Sequence, residues 1–301
     1  MKNIKKILED KNIGEILENE SLKKYNTYKI GGVANLVVIP KNVEKLIELM
    51  NIIRENNIKY KVIGKGSNLI FSSKEYNGII IKLDKLDKLE INGTKITVGA
   101  GYSLVKLSLE TAKRGLSGLE FAAGIPGTVG GSVFMNAGAY KNDIGELIEK
   151  VKLIDDNLNI VEMSKEELDF SYRHSFLQNH RDYICIEVTL NLVEANVDEI
   201  KEKINKRKQK RLETQPLEYP SAGSVFRNPE DIPAGKLIED AGLKGKMIGG
   251  AMVSEKHANF IINYNNATGE DIYNLINYVK NEIKQQTGVE LKQEQEFVNW
   301  E

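Results

Sequence analysis

Apolar residues recur along the chain with spacings that change from one segment to the next, and each spacing predicts an element. Between Val43 and Ile53 they recur every three or four residues, which predicts an amphipathic helix with Asn42 as its N-cap. The short apolar run from Tyr60 to Ile63 predicts a strand instead. The same criteria predict helices at 4–17, 103–114, 198–213, 234–241 and after 268, and strands at 36–39, 78–83, 96–98, 148–154, 160–163, 183–193, 259–263 and in the tail after 288.

Helices and strands are mixed without an internal repeat, so the pattern predicts an α+β fold. Gly115 is expected to end the helix at 103–114, and Thr268 with Asp271 resembles a capping box. The glycine-rich stretch 115–140 shows little helical or strand periodicity and is predicted to be an ordered loop. The helix at 198–213 is highly charged, with one apolar stripe formed by Ile200, Ile204 and Leu212.

Length and charge narrow the class of protein. A chain of 301 residues exceeds one typical core, so two or three domains are expected. The net charge of -1 gives no general attraction to nucleic acid or acidic membranes.

The single cysteine, Cys185, excludes a disulfide framework and lies in an apolar run, so we interpret it as a small buried hydrophobe. No signal peptide and no apolar run of about 18 residues is present, so a cytoplasmic protein without a membrane partner is expected.

The loop Gly64–Asn68, with the sequence GKGSN, directly follows a predicted strand. Glycines let main-chain N–H groups approach an anion closely, which suits a pyrophosphate. Asp84 lies twenty positions further on, as in a dinucleotide-binding Rossmann fold, but that fold requires a helix to begin at the loop. The residues at 69–73 predict a strand end and a turn, so we reject a Rossmann site. A plain tight turn remains the alternative.

A second glycine-dense stretch, LEFAAGIPGTVGGSVFMNAGAY, also carries several large apolar residues. This composition is typical of an ordered loop packed against a flat, mostly apolar cofactor with polar edges. The alternative is a glycine-dense connection between strands. No Walker sequence is present, so NTP hydrolysis is not indicated.

Candidate chemistry is confined to three polar segments: the arginine segment at 171–175, the serine segment at 221–229, and Glu294 in the predicted terminal strand. Each also has an ordinary structural interpretation. The three histidines lack metal-ligand spacing, and no GxSxG elbow is present, so neither a metal site nor a serine hydrolase is expected. The basic residues of the helix at 198–213 are interpreted as a solvated face, because no aromatic residues are interleaved for nucleic-acid binding.

Taken together, the segments resemble the UDP-N-acetylenolpyruvoylglucosamine reductases from about Leu22 to Phe297. The resemblance rests on YNTYKIGG, GKGSNLI, GLEFAAGIPGTVGGSVFMNAGAY, YRHSFL, QPLEYPSAGSVFRNP, PAGKLIEDAGLKG, IGGAMVSEKHANFIIN and GVELKQEQEF. Each motif is weak alone, but their shared order is highly specific. The length is similar to the shorter subclass, which lacks an inserted substrate loop.

The resemblance implies a vanillyl-alcohol-oxidase/PCMH-type FAD-binding fold in two subdomains plus a third, α+β substrate-binding domain. The expected boundaries are 1–83 with 288–301, 84–194, and 195–287. FAD would be held noncovalently, with NADPH as hydride donor and a UDP-sugar enolpyruvyl ether as substrate, in a monomeric enzyme without nucleic-acid partners. The cofactor-binding residues would be Gly64, Lys65, Gly66, Ser67, Asn68, Leu69, Gly124, Ile125, Pro126, Gly127, Thr128, Gly130, Gly131, Asn136, Ala137 and Gly138.

By motif position, the resemblance implies Ser224 as proton donor, Arg173 as the arginine that binds the substrate carboxylate, and Glu294 as the carboxylate of the last strand. Hydride would pass to the terminal carbon of the enolpyruvyl group, and a protonated Glu294 would need a raised pKa to act as a donor. Substrate-binding candidates by neighbourhood are Tyr172, Arg227, Asn228 and His257.

This chain departs from the family pattern in three places. The run at 291–294 reads LKQE where a Leu-Glu-Pro-Glu run is common, so only Glu294 stays in register. Lys141 stands where glycine is common, and Ser132 stands where alanine is common.

Two alternative functions stay open: another FAD oxidoreductase of the vanillyl-alcohol-oxidase type, and a non-enzymatic nucleotide- or nucleic-acid-binding module.

Overall fold

The computed structural model describes residues 1–300, which form α-helices, strands and short 3-10 turns. The helices are α1 (Lys2–Asp10), α2 (Val43–Glu55), α3 (Leu104–Lys113), α4 (Val129–Met135), α5 (Val197–Thr214), α6 (Ala234–Asp240) and α7 (Gly269–Thr287). The 3-10 helices lie at Leu22–Lys24, Ala122–Gly124 and Phe176–Gln178.

The strands are mostly short. They are β1 (Gly14–Ser21), β2 (Val33–Pro40), β3 (Tyr60–Ile63), β4 (Leu69–Phe71), β5 (Tyr76–Lys82), β6 (Leu89–Asn92), β7 (Lys95–Gly99), β8 (Leu116–Ser117), β9 (Gly138–Ala139), β10 (Asn142–Asp143), β11 (Ile148–Ile154), β12 (Ile160–Ser164), β13 (Ile184–Asn191), β14 (Val193–Glu194), β15 (Met247–Ile248), β16 (Ala251–Val253), β17 (Ile261–Asn263) and β18 (Glu296–Val298). The mixture of helices and strands confirms the predicted α+β class.

The chain divides into two compact units. The first comprises residues 1–18, 35–65 and 77–209, and the second comprises 19–34, 66–76 and the chain from Lys210 onward. Each unit has its own hydrophobic core, because buried aliphatic side chains cluster separately in the two. The three-domain boundaries expected from the sequence stay a prediction.

The first unit is built around a five-stranded sheet in the order β12-β11-β13-β7-β6 and a four-stranded sheet in the order β1-β2-β5-β3. Strands β3 and β5 run parallel, and Tyr60 is paired with Ile79. In α2, Asn42 accepts a hydrogen bond from the main-chain N–H of Lys45, which confirms the predicted cap. The pairing of β3 with β5 continues to the last residue of β3, Ile63, so the strand ends directly before Gly64.

The second unit packs α7 against the antiparallel sheet β15-β16-β17, and its strands β4 and β18 run parallel. Thr268 and Asp271 form the predicted capping box, since each side chain bonds to the other residue's main-chain N–H. Strand β4 follows the GKGSN loop where a Rossmann fold would begin a helix, so the rejection of a Rossmann site is confirmed.

Three predicted elements were wrong in extent. The first helix ends at Asp10, and β1 follows, because Asn12 takes a left-handed conformation with φ of 53° that breaks the helix. The glycine-rich stretch contains α4, capped by Thr128, where no helix was predicted. The terminal strand is confined to β18, so Glu294 lies before the strand and not within it.

Burial differs between two apolar positions that the sequence analysis singled out. On the apolar stripe of α5, Ile200 and Ile204 are buried, whereas Leu212 is 47% exposed. Cys185 is buried as predicted, and burial raises the pKa of its thiol to about 12. At neutral pH this cysteine is therefore an inert apolar side chain.

A search of the helices within residues 1–300 finds none with the length and apolar character that a membrane span requires.

Candidate active site

The two glycine-rich loops predicted to hold one cofactor approach each other in the first unit. Gly64 lies directly after β3, and a Cβ atom placed on it would lie 2.5 Å from Oγ1 of Thr128. Only glycine fits so close an approach. Thr128 is the N-cap of α4, and its Oγ1 accepts a hydrogen bond of 3.3 Å from the main-chain N–H of Gly131. Two segments separated by more than sixty residues thus meet at these two positions.

A buried lysine fixes the start of the first loop. Lys82, only 5% exposed, donates a hydrogen bond of 2.7 Å to the carbonyl of Gly64 and lies 3.2 Å from the carboxylate of Asp84. Burial lowers the pKa of Lys82, and Asp84 partly offsets that shift. Asp84, which a Rossmann fold would direct at a ribose, forms an ion pair with Lys82 instead.

The main-chain donors around these loops divide into two groups. At the start of α4, the N–H of Val129 bonds to the carbonyl of Tyr102, and that of Gly130 to the carbonyl of Ala100. Those first-turn donors are therefore occupied within the protein. Donors that have no protein acceptor among residues 1–300 lie just before the helix and in the first loop, and they include the N–H groups of Lys65, Gly127 and Thr128.

The arginine segment is anchored to the C-terminal end of α4. Asn136 ends the helix in a left-handed conformation, and its side-chain amide donates a hydrogen bond of 2.9 Å to the carbonyl of Ser171. Ser175 and Gln178 both donate to the carbonyl of Phe134, at 2.8 and 3.0 Å. Sequence reasoning did not predict these supporting roles of Ser175 and Gln178, because the carbonyl of Phe134 lies about forty residues upstream of both.

Arg173 is the centre of this segment. It takes a left-handed conformation with φ of 56°, which costs a non-glycine residue about 1 kcal/mol or more and therefore requires support from its surroundings. Gln178 donates to the carbonyl of Arg173 at 2.9 Å, and the guanidinium itself donates to the carbonyl of Gly138 at 2.8 Å. The guanidinium also lies 5.0 Å from the ring centre of Tyr172, which is half-exposed.

The serine segment lies in the second unit, together with Glu294. Gly223 has φ of 76°, so the chain turns there and presents the half-buried Ser224. Phe226 pairs with Gln293 in an isolated antiparallel bridge, and the N–H of Glu294 donates a hydrogen bond of 2.8 Å to the carbonyl of Val225. Ser224 and Glu294 are therefore carried by two adjoining segments.

Asn68, the last residue of the first glycine loop, belongs to the second unit and is bonded to the segment of Glu294. Asn68 donates from its side-chain amide to the carbonyl of Glu294 at 3.1 Å, and the N–H of Glu296 donates to the carbonyl of Asn68 at 2.9 Å. The second unit thus joins Asn68, Glu294 and the serine segment, whereas Arg173 belongs to the first unit.

Two buried amide side chains, missed by sequence reasoning, hold the serine segment. Gln295 donates from Nε2 to the carbonyls of Ala222, Gly223 and Ser224. Asn259 accepts from the N–H of Phe226 at 3.0 Å and donates to its carbonyl at 2.8 Å. Nothing in their local sequence indicates these roles, since both stand among ordinary polar and apolar neighbours.

Three of the predicted substrate-binding residues lie in the second unit. Arg227 has a buried Nε with no hydrogen-bond partner among residues 1–300. The side-chain oxygen of Asn228 accepts from the N–H of Ala234 at 3.1 Å, so this side chain supports the start of α6. The ring of His257 packs 4.7 Å from that of Phe260, and burial lowers the pKa of His257, which favours the neutral ring. Their substrate roles stay predictions.

Two family models match the chain. The FAD binding domain model matches residues 34–164, a range that contains both Gly64 and Thr128. The model for the C-terminal domain of UDP-N-acetylenolpyruvoylglucosamine reductase matches residues 215–298, a range that contains both Ser224 and Glu294.

Full-length relatives carry the same name. The chain is 48% identical to the UDP-N-acetylenolpyruvoylglucosamine reductase of Anoxybacillus flavithermus, over 99% of both chains. It is 44% identical to that of Bacillus subtilis, over 97% of this chain and 96% of the relative.

Solved structures agree with the fold. The UDP-N-acetylenolpyruvylglucosamine reductase from Thermus caldophilus superposes with a TM-score of 0.80 at 34% identity, covering 94% of this chain and 98% of that one. The glucose dehydrogenase Phl p 4.0202 is similar in fold alone, with a TM-score of 0.50 at 16% identity over 65% of this chain and 44% of that one. These similarities confirm the predicted FAD-binding fold class.

Proposed function

Because the chain belongs to the UDP-N-acetylenolpyruvoylglucosamine reductase family, we propose that it reduces UDP-N-acetylglucosamine enolpyruvate to UDP-N-acetylmuramate with NADPH as the hydride source. The reaction is an FAD-dependent step in the synthesis of peptidoglycan precursors. The near-complete coverage of full-length relatives supports the activity of the whole enzyme, and not of one domain only. The monomeric state, the cytoplasmic location and the absence of nucleic-acid and membrane partners stay predictions.

One observation carries the proposal: the Gly64 turn and Thr128 approach each other within the segment matched by the FAD binding domain model. Around that contact, several main-chain N–H groups have no acceptor among the described residues, and those of Lys65, Gly127 and Thr128 are among them. Main-chain donors in glycine-rich turns are the usual ligands of a dinucleotide pyrophosphate. The residues present therefore fit FAD, with Lys65, Gly127 and Thr128 as its anion-binding positions.

The chemistry is divided between the cofactor and the chain. FAD, held at the main-chain donors of the two glycine-rich loops, would supply the hydride for the terminal carbon of the enolpyruvyl group. Negative charge then develops on the neighbouring carbon and its carboxylate, and Arg173 binds that carboxylate through its permanently charged, forked guanidinium.

Proton transfer completes the reduction. The Ser224 hydroxyl gives its proton to the carbon next to the carboxylate, its O–H electron pair stays on oxygen, and water restores the proton. Serine is a weak acid, but a carbanion or enolate is basic enough to take its proton. In its protonated form, Glu294 would donate a further hydrogen bond to the developing charge.

The proposal is tested by the colour of the purified protein. We expect a yellow protein that NADPH bleaches without oxygen and that the enolpyruvyl substrate then restores. Heat denaturation should release all of the flavin, since it is held noncovalently. A colourless protein that takes up no FAD would refute the proposal, and flavin that is restored by oxygen but not by substrate would favour an oxidase.

Arg173→Met is expected to lower the rate of substrate-dependent flavin reoxidation by about 10²–10³-fold, as for loss of one preorganised group that stabilises developing charge. Arg173→Lys should recover only part of that rate, because the ammonium keeps the charge but lacks the fork. Single-turnover reoxidation measures the effect separately from reduction by NADPH.

Arg181→Met is the matched control, because Arg181 also lies in the first unit and also stacks on an aromatic ring, that of Phe134 at 5.5 Å. Equal slowing in the two methionine variants would show that Arg173 acts through the fold and not on the substrate.

A further inference from the structure

The side-chain amide of Gln295 is the best-connected polar group beside the serine segment. Gln295 is only 3% exposed, and its Nε2 lies 3.0, 3.1 and 3.3 Å from the carbonyl oxygens of Ala222, Gly223 and Ser224. Carbonyl oxygens only accept hydrogen bonds, so three of them at one end of the amide require that its nitrogen face them.

A buried tyrosine fixes the other end of the amide. The hydroxyl of Tyr28 donates a hydrogen bond of 3.0 Å to Oε1 of Gln295. Tyr28 has no exposed surface, and burial raises the pKa of its phenol, so the hydroxyl is a protonated donor at neutral pH. The Tyr28 hydroxyl therefore locks the orientation in which Gln295 faces the three carbonyls.

The contacts of Gln295 restrict the main chain of Ser224 rather than its side chain. Three consecutive carbonyls can point at one atom only if the chain curves around it, and Gly223 provides the curve with its positive φ. On the other side of Ser224, the N–H of Val225 donates to the carbonyl of Asn259 at 2.9 Å. The Ser224 hydroxyl itself has no hydrogen-bond partner among residues 1–300.

From this arrangement we propose that Gln295, held by Tyr28, is a positioning residue that aims the Ser224 hydroxyl for proton transfer. The proposal rests on the function proposed above for Ser224. A serine has one rotatable bond between its hydroxyl oxygen and the main chain, so fixing the main chain limits the oxygen to a few staggered positions. A carboxylate at this position could not make the same contacts, because three carbonyl oxygens require a donor and an ionised carboxylate only accepts hydrogen bonds.

The test is a double-mutant cycle on the half-reactions. Gln295→Met keeps the length of the side chain and removes both polar ends. We expect normal reduction of the flavin by NADPH and reoxidation by the enolpyruvyl substrate slowed by about 10–100-fold, as for a small misplacement of a reacting group. Tyr28→Phe removes one hydroxyl only and should slow reoxidation less. In the Ser224→Ala background neither change should slow reoxidation further, because the group that they position is absent.

The cycle separates positioning from general loss of structure. If Gln295→Met or Tyr28→Phe slows reoxidation equally with and without Ser224, or not at all, the proposal is overturned. Where Gln295→Met fails to fold, Tyr28→Phe decides by the same criterion. Tyr76→Phe, at another buried tyrosine of the second unit, should leave both half-reactions unchanged. A Ser224→Ala protein with normal reoxidation would refute the proposed role of Ser224 itself, and so is distinguishable from failure of the Gln295 proposal alone.

Discussion

Ser224→Ala protein is expected to be reduced by NADPH at the normal rate and to be reoxidised by the enolpyruvyl substrate about 10²–10⁴-fold more slowly, the range for loss of a positioned general acid. The reason is that hydride transfer to FAD does not involve Ser224, whereas protonation of the substrate carbon does. The fold should not change, because the Ser224 hydroxyl makes no hydrogen bond within residues 1–300. Anaerobic stopped-flow absorbance of the flavin measures both half-reactions in one protein.

Two further variants make this result specific. Ser221→Ala removes a hydroxyl from the same segment, three residues upstream, and should leave both rates unchanged. Ser224→Cys places a stronger acid at the same position and should retain more of the rate than Ser224→Ala. If Ser224→Ala were reoxidised at the normal rate, another group or water would have to supply the proton.

Gly64→Ala is expected to weaken FAD binding by about 10–100-fold. The added Cβ would lie 2.5 Å from Oγ1 of Thr128, so the turn after β3 must move. Overpacking of this kind costs about 1–3 kcal/mol, and each 1.4 kcal/mol taken from binding is a tenfold loss of affinity. Titration of flavin-free protein with FAD, followed by quenching of flavin fluorescence, measures the affinity directly.

Thr128→Ala in combination with Gly64→Ala tests whether this contact is the cause. Removing Oγ1 relieves the overlap, so the double variant should bind FAD more tightly than Gly64→Ala alone. Thr128→Ala by itself loses the N-cap of α4 and should destabilise the protein by about 1 kcal/mol in thermal unfolding. Unchanged FAD affinity in Gly64→Ala would show that the Gly64 turn does not form the cofactor site.

Interactions between near neighbours in the chain were the most predictable part of the structure. Asn42 and the pair Thr268–Asp271 cap their helices as predicted, because each bond closes within three residues. The end of the first helix was predicted wrongly because it does not depend on near neighbours alone. Asn12 can take either helical or left-handed backbone angles, and the choice depends on where β1 must pack.

The family, the fold class and the candidates Ser224, Arg173 and Glu294 could all be predicted from the order of residues along the chain, because ordered motifs and local caps are properties of contiguous residues. Three contacts could be found only in the folded chain: Gly64 lies against Thr128, Lys82 supports the Gly64 turn, and Gln295 donates to carbonyls 71 to 73 residues upstream. The hydrogen-bond partners of a buried lysine or amide depend on how distant segments pack, so they cannot be predicted from the residues next to it in the chain.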